Sequence, residues 1–397
     1  TTAKACLIEN RTPLVTGLFE VDRRYRFKEG SGLPVTVPSI DLIEIGAGGG
    51  SIARIDDLGL LKVGPESAGS NPGPACYGRG GTSATVTDAD LLLGLIDADN
   101  FLGGEMKLDL AATEAALTRL GDGLGLTAVQ AARGIYRVVT EAMANAARSH
   151  ATDRGVDYRG LPLFAFGGAG ALHACGVADL LQSSSVIVPP QSSVLSAFGT
   201  LVTPVRLDLV RSDLARLDRI DWARIDDILG ALEREGRVAL GEAGCAEADV
   251  RVKIGADMRY AGQQNEVTVT FATDPRIARD TRLLAEVFER EYRILYGVNP
   301  SHVPVEIVTW RIVVEGPQIR FHAAGRPAVA PGRPKGRRVV HAWADGETLD
   351  VWRRVDLAVG QTVAGPAVIE ERETTTAVPP GWTATIDPVG CIVVTKG

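Results

Sequence analysis

Basic residues do not outnumber acidic ones in this chain. It holds 42 Lys and Arg against 49 Asp and Glu, a formal net charge of −7. A nucleic-acid grip needs a basic face, so that class of partner is excluded. No stretch reaches the ~18 consecutive apolar residues of a membrane-spanning helix, which leaves no membrane call. The opening Thr1-Thr2-Ala3-Lys4 is not a basic region followed by an apolar run, so it does not read as a signal peptide. It also lacks an initiator Met and enters strand-like sequence at once. Cysteine is scarce, odd in number and scattered (Cys6, Cys76, Cys175, Cys245, Cys391). With no C-x-x-C pair, neither a disulfide framework nor a zinc knuckle is indicated, and a reducing cytoplasm is the simplest compartment. His150, His173, His302, His322 and His341 show no metal-ligand spacing. Aromatics are only 5%.

Glycine, by contrast, is abundant: 45 of 397 residues, against a usual ~7%. The glycines have no period of three, which excludes collagen, and 45% hydrophobic residues exclude a long disordered chain. They belong in turns and in loops where backbone meets something closely. Eleven of them fall between residues 46 and 81. The length suggests two or three domains.

Along the chain, residues 3–9 read as a strand, 10–13 as a turn and 14–21 as the return strand of a hairpin, with a loop over 22–33. A short strand, 41–45, runs into Gly46-Ala47-Gly48-Gly49-Gly50-Ser51, and 52–55 reads as another strand. The segment 64–81 is expected to hold neither helix nor long strand. Helices are expected near 89–95, with Thr87-Asp88 as cap, and over 109–120, 127–150, 171–181 and 192–201. The strands 161–166 and 186–188 flank Gly167-Gly168-Ala169-Gly170 and its helix, a β-loop-α-β unit that points to a mostly parallel buried sheet. After residues 205–220 come amphipathic helices over 221–241 and 279–295, strands over 251–260, 266–271 and 305–314, and a linker over 316–336. From 338 onward only short strands are read, broken by turns at Asp345-Gly346, Gly365-Pro366 and Pro379-Pro380-Gly381.

Two glycine loops carry the chemistry worth weighing. Gly167–Gly170 follows a strand and opens a helix, so its N–H groups and the helix dipole suit an anion; a close strand-helix crossing would also need small residues there. Gly46–Ser51 has the same composition. It is not a Walker A loop, because no Gly-Lys-Ser/Thr follows, nor a dinucleotide fingerprint, because a strand follows it. The acid/base residues near these loops are Glu44, Glu66, Asp88, His150 and His173, of which Asp88, Glu66 and His150 are taken as catalytic candidates. Each has a plainer alternative: Asp88 as a helix cap, His150 as a cation at a helix C-terminus, His173 as a buried histidine packing a helix start. Cys76 lies in a Gly/Pro loop without an identifiable histidine partner.

Taken in order, these strings resemble the hydantoinase A / 5-oxoprolinase family. The matching stretches are 43–53, 63–81, 85–89, 164–174 and 188–190, then 257–263, 288–296 and 374–382; one departure is Ala171, where the family has proline. The resemblance implies an α/β fold, the C-terminal half of an actin-like ATPase of sugar kinase and heat-shock chaperone type with Gly-rich insertions at about 40–100, covering residues 1–212. An α+β region ending in a small β module would cover 213–397. It also implies ATP as cofactor. Gly167, Gly168, Ala169 and Gly170, with His173, would meet its adenosine side. Thr1, Thr2 and Lys4 would end a phosphate loop, and Gly48, Gly49 and Gly50 would face the phosphates or the substrate. The first phosphate loop and the Mg2+ ligands would lie in an N-terminal half absent from this sequence, and a larger hydantoinase B-type subunit would be a partner. The expected function is ATP-driven ring opening of a cyclic amide, a hydantoin or 5-oxoproline. The alternative is ATP-dependent carboxylation of a ketone with bicarbonate, and a third is a non-catalytic nucleotide-binding subunit. Either reaction rests on phosphoryl transfer to an oxygen of a small carbonyl substrate.

Overall fold

The computed structural model describes residues 1–397 apart from 18, 22–29, 36, 38, 301, 320, 322–324, 326–328 and 345. The chain forms two compact units, Thr1–Ala197 with Ala323–Gly397, and Phe198–His322. The expected boundary at 212/213 follows chain order. The compact units do not, because the strands after residue 335 pair within the first of them.

In the first unit, Ala3–Cys6 pairs antiparallel with Leu42–Ile45, Val15–Thr16 with Ser39–Ile40, and Phe19–Val21 with Leu33–Val35. The return strands of the opening ribbon are therefore Leu33–Val35, Ser39–Ile40 and Leu42–Ile45, not 14–21. The turn read at 10–13 closes only a side hairpin, Ile8–Glu9 with Thr12–Pro13, through Asn10 and Arg11 at φ 50° and 64°. Of the loop expected over 22–33, residues 22–29 lie outside the described residues, as do Asp345 and, in the linker expected over 316–336, residues 320, 322–324 (His322 among them) and 326–328. Ser51–Ile55 pairs with Leu61–Ser67, with a register shift between Val63 and Ser67. The segment expected to carry no long strand thus begins with one, because the shift lets the strand run through Gly64-Pro65.

Capping places the helices. Thr85 forms a reciprocal capping box with Asp88 at the head of Val86–Leu92, so Thr85, and not the expected Thr87-Asp88, is the cap. Asp109 caps Leu110–Leu124, and Thr127 with Gln130 caps Ala128–Asp153. The long helix buries Ala132, Ile135, Val139 and Ala146 in one core with Ile43, Ile45, Val86, Ala89, Leu93 and Leu117. Its alanines let neighbouring elements approach closely, and each large apolar side chain buried there contributes roughly 1.5–3 kcal/mol.

The β-loop-α-β unit forms as read: Leu163–Phe164, helix Gly170–Leu181 and Ser185–Val188, the two strands parallel. The sheet around it is not mostly parallel. Its order is Leu163–Phe164, Ser185–Val188, Ile392–Lys396, Trp382–Ile386, Thr362–Ala364, and every pairing after the first is antiparallel. The chain's last strands return as a hairpin and complete this sheet. A four-stranded sheet, Gly336–Val340, Glu347–Arg353, Ala367–Glu370 and Thr375–Val378, lies in the same unit.

The second unit is α+β. Its antiparallel sheet runs in the order Arg206–Arg216, Val305–Glu315, Arg251–Tyr260, Val267–Thr270. The strand Arg206–Arg216 is an addition to the sequence reading. Helices Trp222–Glu242 and Thr281–Tyr296 share its core: Leu229, Leu232 and Phe288 meet Trp310, Ile312 and Val314.

Candidate nucleotide-binding site

The loop 167–170 is built by a strand that stops and a helix that starts without a side-chain cap. Ala165 N–H donates to Ile187 O at 2.9 Å and Gly167 N–H to Ser192 O at 2.8 Å, which pins the turn to the neighbouring chain. Gly167 sits at φ 100°, a conformation that favours glycine. Helix Gly170–Leu181 has Ala169 at its N-cap, with no capping side chain. A Cβ at Gly167 or Gly170 would meet nothing within 4 Å, and one at Gly168 only Glu373 O at 3.8 Å. Packing therefore does not demand small residues here. The glycines face open space over a helix N-terminus, the setting in which backbone N–H groups and the dipole attract acceptors.

The turn Glu371–Thr375 walls this space. Thr374 Oγ1 donates to Gly168 O at 2.9 Å, Ser193 Oγ to Glu373 Oε2 at 3.2 Å, and Glu371 N–H to Thr374 O at 2.9 Å. Together with Ile96, Asn100, Phe101 and Leu172 it bounds a small open cleft. Buried Glu370 lies at the edge of the cleft, paired with Arg338, with Lys335 Nζ at 2.5 Å and with Asn100 Nδ2 at 3.3 Å. Asp97 accepts from Arg338 at 2.8 Å. Burial pushes the Asp97 carboxyl up, but the Asp99 N–H, Arg338 and Lys335 outweigh it and hold it below its ordinary value. Arg354, also buried, donates to Val188 O, Pro189 O, Gly390 O and Glu371 Oε1, tying the wall to the five-stranded sheet. None of these charged residues was singled out from sequence. The string 374–382 marked the neighbourhood, but chain order gives no sign that it faces residue 168.

The Gly46–Ser51 loop is different in kind. Gly48 N–H donates to Ser51 Oγ at 3.0 Å, and Thr87 N–H to Gly49 O at 2.8 Å. A Cβ at Gly48 would lie 2.9 Å from Thr1 N, at Gly49 2.7 Å from Thr87 Oγ1, and at Gly50 2.8 Å from Ser67 Oγ. Close packing alone accounts for these glycines. The loop does bring Thr1 beside Gly48, and Ser67 Oγ lies 3.4 Å from Thr1 Oγ1. Lys4 pairs with Glu44 at 2.9 Å and contacts Thr2 Oγ1; hydrogen bonding to Lys4 lowers the Glu44 carboxyl.

The three catalytic candidates are not brought together. Asp88 is fully buried, and accepts from Cys76 N–H (2.7 Å), Thr85 N–H (2.9 Å), Thr85 Oγ1 (2.8 Å) and Ala75 N–H (3.2 Å). Its carboxylate is enclosed by donors of its own loop and helix. Glu66 is exposed and pairs with Arg54 at 3.6 Å. His150 is buried in the last turn of its helix, 4.0 Å from Asp41, whose carboxylate also takes Arg154 at 2.6 and 2.8 Å. Burial, with Asp88 adjoining, pushes the Cys76 thiol up, away from nucleophilic use.

His173, expected beside a nucleotide, has no exposed surface. Its Nδ1 lies 3.2 Å from Thr140 Oγ1, its Nε2 3.4 Å from Asp90 Oδ2, and its ring stacks on Tyr136 at 4.7 Å. Burial, reinforced by the Asp90 carboxylate, pushes the Tyr136 phenol up; its hydroxyl donates to Leu172 O at 2.9 Å. Among the described residues no group of three or more His, Cys, Asp or Glu could hold a metal ion, and no helix is long and apolar enough to cross a membrane.

A model described as hydantoinase/oxoprolinase matches residues 1–209, and one described as the hydantoinase/oxoprolinase C-terminal domain matches 219–393. The alpha subunit of caprolactamase from Pseudomonas jessenii is 34% identical over 91% of this chain and 53% of its own length. The solved structure of that organism's ATP-dependent caprolactamase matches with a TM-score of 0.69, covering 94% of this chain and 55% of that one. The gamma subunit of acetophenone carboxylase from Aromatoleum aromaticum is 30% identical over 91% of this chain and 51% of its own length. The nucleotide-free structure of acetone carboxylase shares the fold, with a TM-score of 0.85 at 24% identity, over all of this chain and 57% of that one. The chain thus spans about half the length of the relatives it matches.

Proposed function

We propose, since this chain belongs to the hydantoinase/oxoprolinase family, that it is the nucleotide-binding part of an ATP-dependent enzyme that opens a cyclic amide. The observation that carries the reading is the open, glycine-fronted space over the N-terminus of helix Gly170–Leu181, walled by Thr374 and Glu373. The acidic wall suits the uncharged adenosine end of ATP, whose hydroxyl and amino groups donate; carboxylates oppose a triphosphate. Gly167, Gly168, Ala169 and Gly170 then hold the adenosine side. Thr1, Thr2 and Lys4 form the phosphate side, with Gly48–Gly50 packed closely behind it, and Mg2+ would be held by groups that these residues do not supply. ATP held there would supply a phosphoryl group to the amide oxygen and make the carbon a better target for water; the ring would open as the C–N bond breaks and the nitrogen takes up a proton, and phosphate would be released from the resulting acyl phosphate by hydrolysis. The chain's part is orientation: fixed N–H groups and a rigid helix start set the nucleotide in place before reaction.

Ring opening is favoured by the caprolactamase likeness, which joins the higher of the two identities to a shared fold. Ketone carboxylation is the second reading, and rests on the acetophenone carboxylase subunit. Both relatives are named as subunits, and we propose that this chain too works with a further subunit. The enzyme, assembled with that partner, is incubated with ATP and a lactam, hydantoin or 5-oxoproline, or with a ketone and labelled bicarbonate, and ADP and AMP are measured. Turnover with the cyclic amides is expected. Turnover only with ketone and bicarbonate selects the second reading, and substrate-independent nucleotide binding without turnover selects a non-catalytic subunit.

A further inference from the structure

The buried pair His173–Asp90 is unexplained by the site described above. Both side chains are about 1% exposed, and both carboxylate oxygens of Asp90 and Nε2 of His173 lack a hydrogen-bond partner among the described residues. Burying a carboxylate this way is costly, and an apolar pair of similar volume would fill the space at no loss of stability. Filling space is therefore not what the pair is suited to. Its position suggests another role. His173 lies in the first turn of Gly170–Leu181, directly after the 167–170 loop; its neighbour Leu172 lines the cleft. Asp90 lies in Val86–Leu92, whose Thr87 N–H holds Gly49 O at 2.8 Å and whose Thr87 Oγ1 takes the space that a Cβ at Gly49 would need. Asp90 O also accepts from the N–H of Ile96, which lines the cleft, at 3.3 Å. One side chain belongs to the helix that follows one glycine loop, and the other to the helix that braces the second.

We propose that the His173–Asp90 contact is a positioning strut that sets the separation of the two glycine loops, 46–51 and 167–170. Thr140 fixes the ring's orientation. Its hydroxyl donates to Tyr136 O at 2.7 Å, so its oxygen accepts from Nδ1–H and turns Nε2 toward Asp90. The ring is held at Nδ1 by Thr140 and faces Asp90 with Nε2 across 3.4 Å, an ion-pair contact in the form that carries a proton on both nitrogens. The consequence for ATP rests on the function proposed above; the strut itself does not.

Two substitutions of the same residue separate a strut from ordinary packing. In His173→Gln the amide nitrogen can take the place of Nε2 and keep the reach to Asp90. In His173→Asn it takes the place of Nδ1, keeps Thr140 and loses Asp90. Both lose the stack on Tyr136. Hydrogen exchange of the full chain, read by mass spectrometry alongside thermal unfolding, is expected to rise at least about tenfold in both 46–51 and 167–173 for His173→Asn and to stay near wild type for His173→Gln. Asp90→Ala should reproduce His173→Asn, and the double variant should add nothing further. Loosening of only one loop, or equal loosening by Gln and Asn, overturns the strut. If neither His173 variant folds, Asp90→Asn, which keeps an acceptor facing Nε2, is compared with Asp90→Ala, and equal exchange in the two overturns it. ATP affinity is measured on the same proteins. A strut variant that loosens both loops and weakens ATP about tenfold supports both readings. One that loosens both loops in a chain that binds no ATP leaves the strut standing and removes the nucleotide assignment.

Discussion

Asp88 shows how a carboxylate in a glycine-rich, catalytic-looking segment can serve the scaffold instead. Its two oxygens gather the N–H groups of Ala75, Cys76 and Thr85 and the Thr85 hydroxyl, so they hold the Pro/Gly loop against the head of a helix. Asp88→Ala would leave those donors buried and unmet, and is expected to cost about 3 kcal/mol, measured by denaturant unfolding. If the variant unfolds like wild type but loses turnover, the scaffold assignment is wrong. The same loop shelters Cys76. Burial pushes its thiol and that of Cys175 up, the latter to about 12. Native alkylation with iodoacetamide at pH 8 should therefore label the exposed Cys6 and spare Cys76 and Cys175 until the protein is unfolded. Asp97 gives a pH-dependent case. Its folded carboxyl titrates below the ordinary carboxylate value of about 4, so the unfolded chain takes up the proton first as pH falls. The stabilisation is complete above about pH 5 and is lost as pH drops through the folded pKa. Asp97→Asn should cost about 1–2 kcal/mol at pH 7, a gap that closes on acidification; a gap independent of pH would assign the loss to packing.

At the scale of elements, the site depends on segments far apart in sequence. Gly94, at φ 76°, ends the helix that carries Asp88 and Asp90, and a Cβ there would lie 2.3 Å from Val339 O of the strand Gly336–Val340. Backbone meets backbone, with no flexible side chain to yield. Gly94→Ala is expected to cost on the order of 2–4 kcal/mol. Gly168→Ala, whose Cβ meets only an ordinary contact at 3.8 Å, should leave Tm within a degree or two and act on ATP affinity alone. The helices were legible because their signals are local: Thr127, Asp109 and Asp221 stand at the N-caps, and buried residues recur with helical period. The β-loop-α-β unit was legible for the same reason. What was not legible was pairing. Nothing near Ile392–Lys396 says that it will lie beside Ser185–Val188, and the charged alternation of Arg206–Arg216 hides a strand whose partner begins at Val305. The site divides likewise. The glycine turn at 167–170 stood out, whereas Glu370, Arg338 and Asp97, which converge from three segments, and Asp90 opposite His173, depend on contacts that no local pattern encodes.

At the scale of the molecule, the second unit interrupts the first as one continuous insertion, and its core supports an independent existence. Val305, Ile307, Trp310, Ile312 and Val314 alternate along the central strand Val305–Glu315, while Leu229, Leu232, Leu284 and Phe288 reach them from two helices. A domain of this size carrying a core of its own is expected to fold alone, since its buried apolar surface comes from within the segment. The buried hydrogen bonds of its central strands are also internal, Arg251–Tyr260 and Arg206–Arg216 both pairing with Val305–Glu315. A fragment spanning residues 198–322 should therefore unfold in one cooperative transition, seen together by far-UV circular dichroism and by the fluorescence of its two tryptophans, Trp222 and the fully buried Trp310. Trp310→Ala in that fragment should cost about 3–5 kcal/mol through the cavity left at the centre of the sheet. A broad, non-cooperative transition, or fluorescence that changes apart from the circular dichroism, would mean that the insertion draws its stability from the rest of the chain.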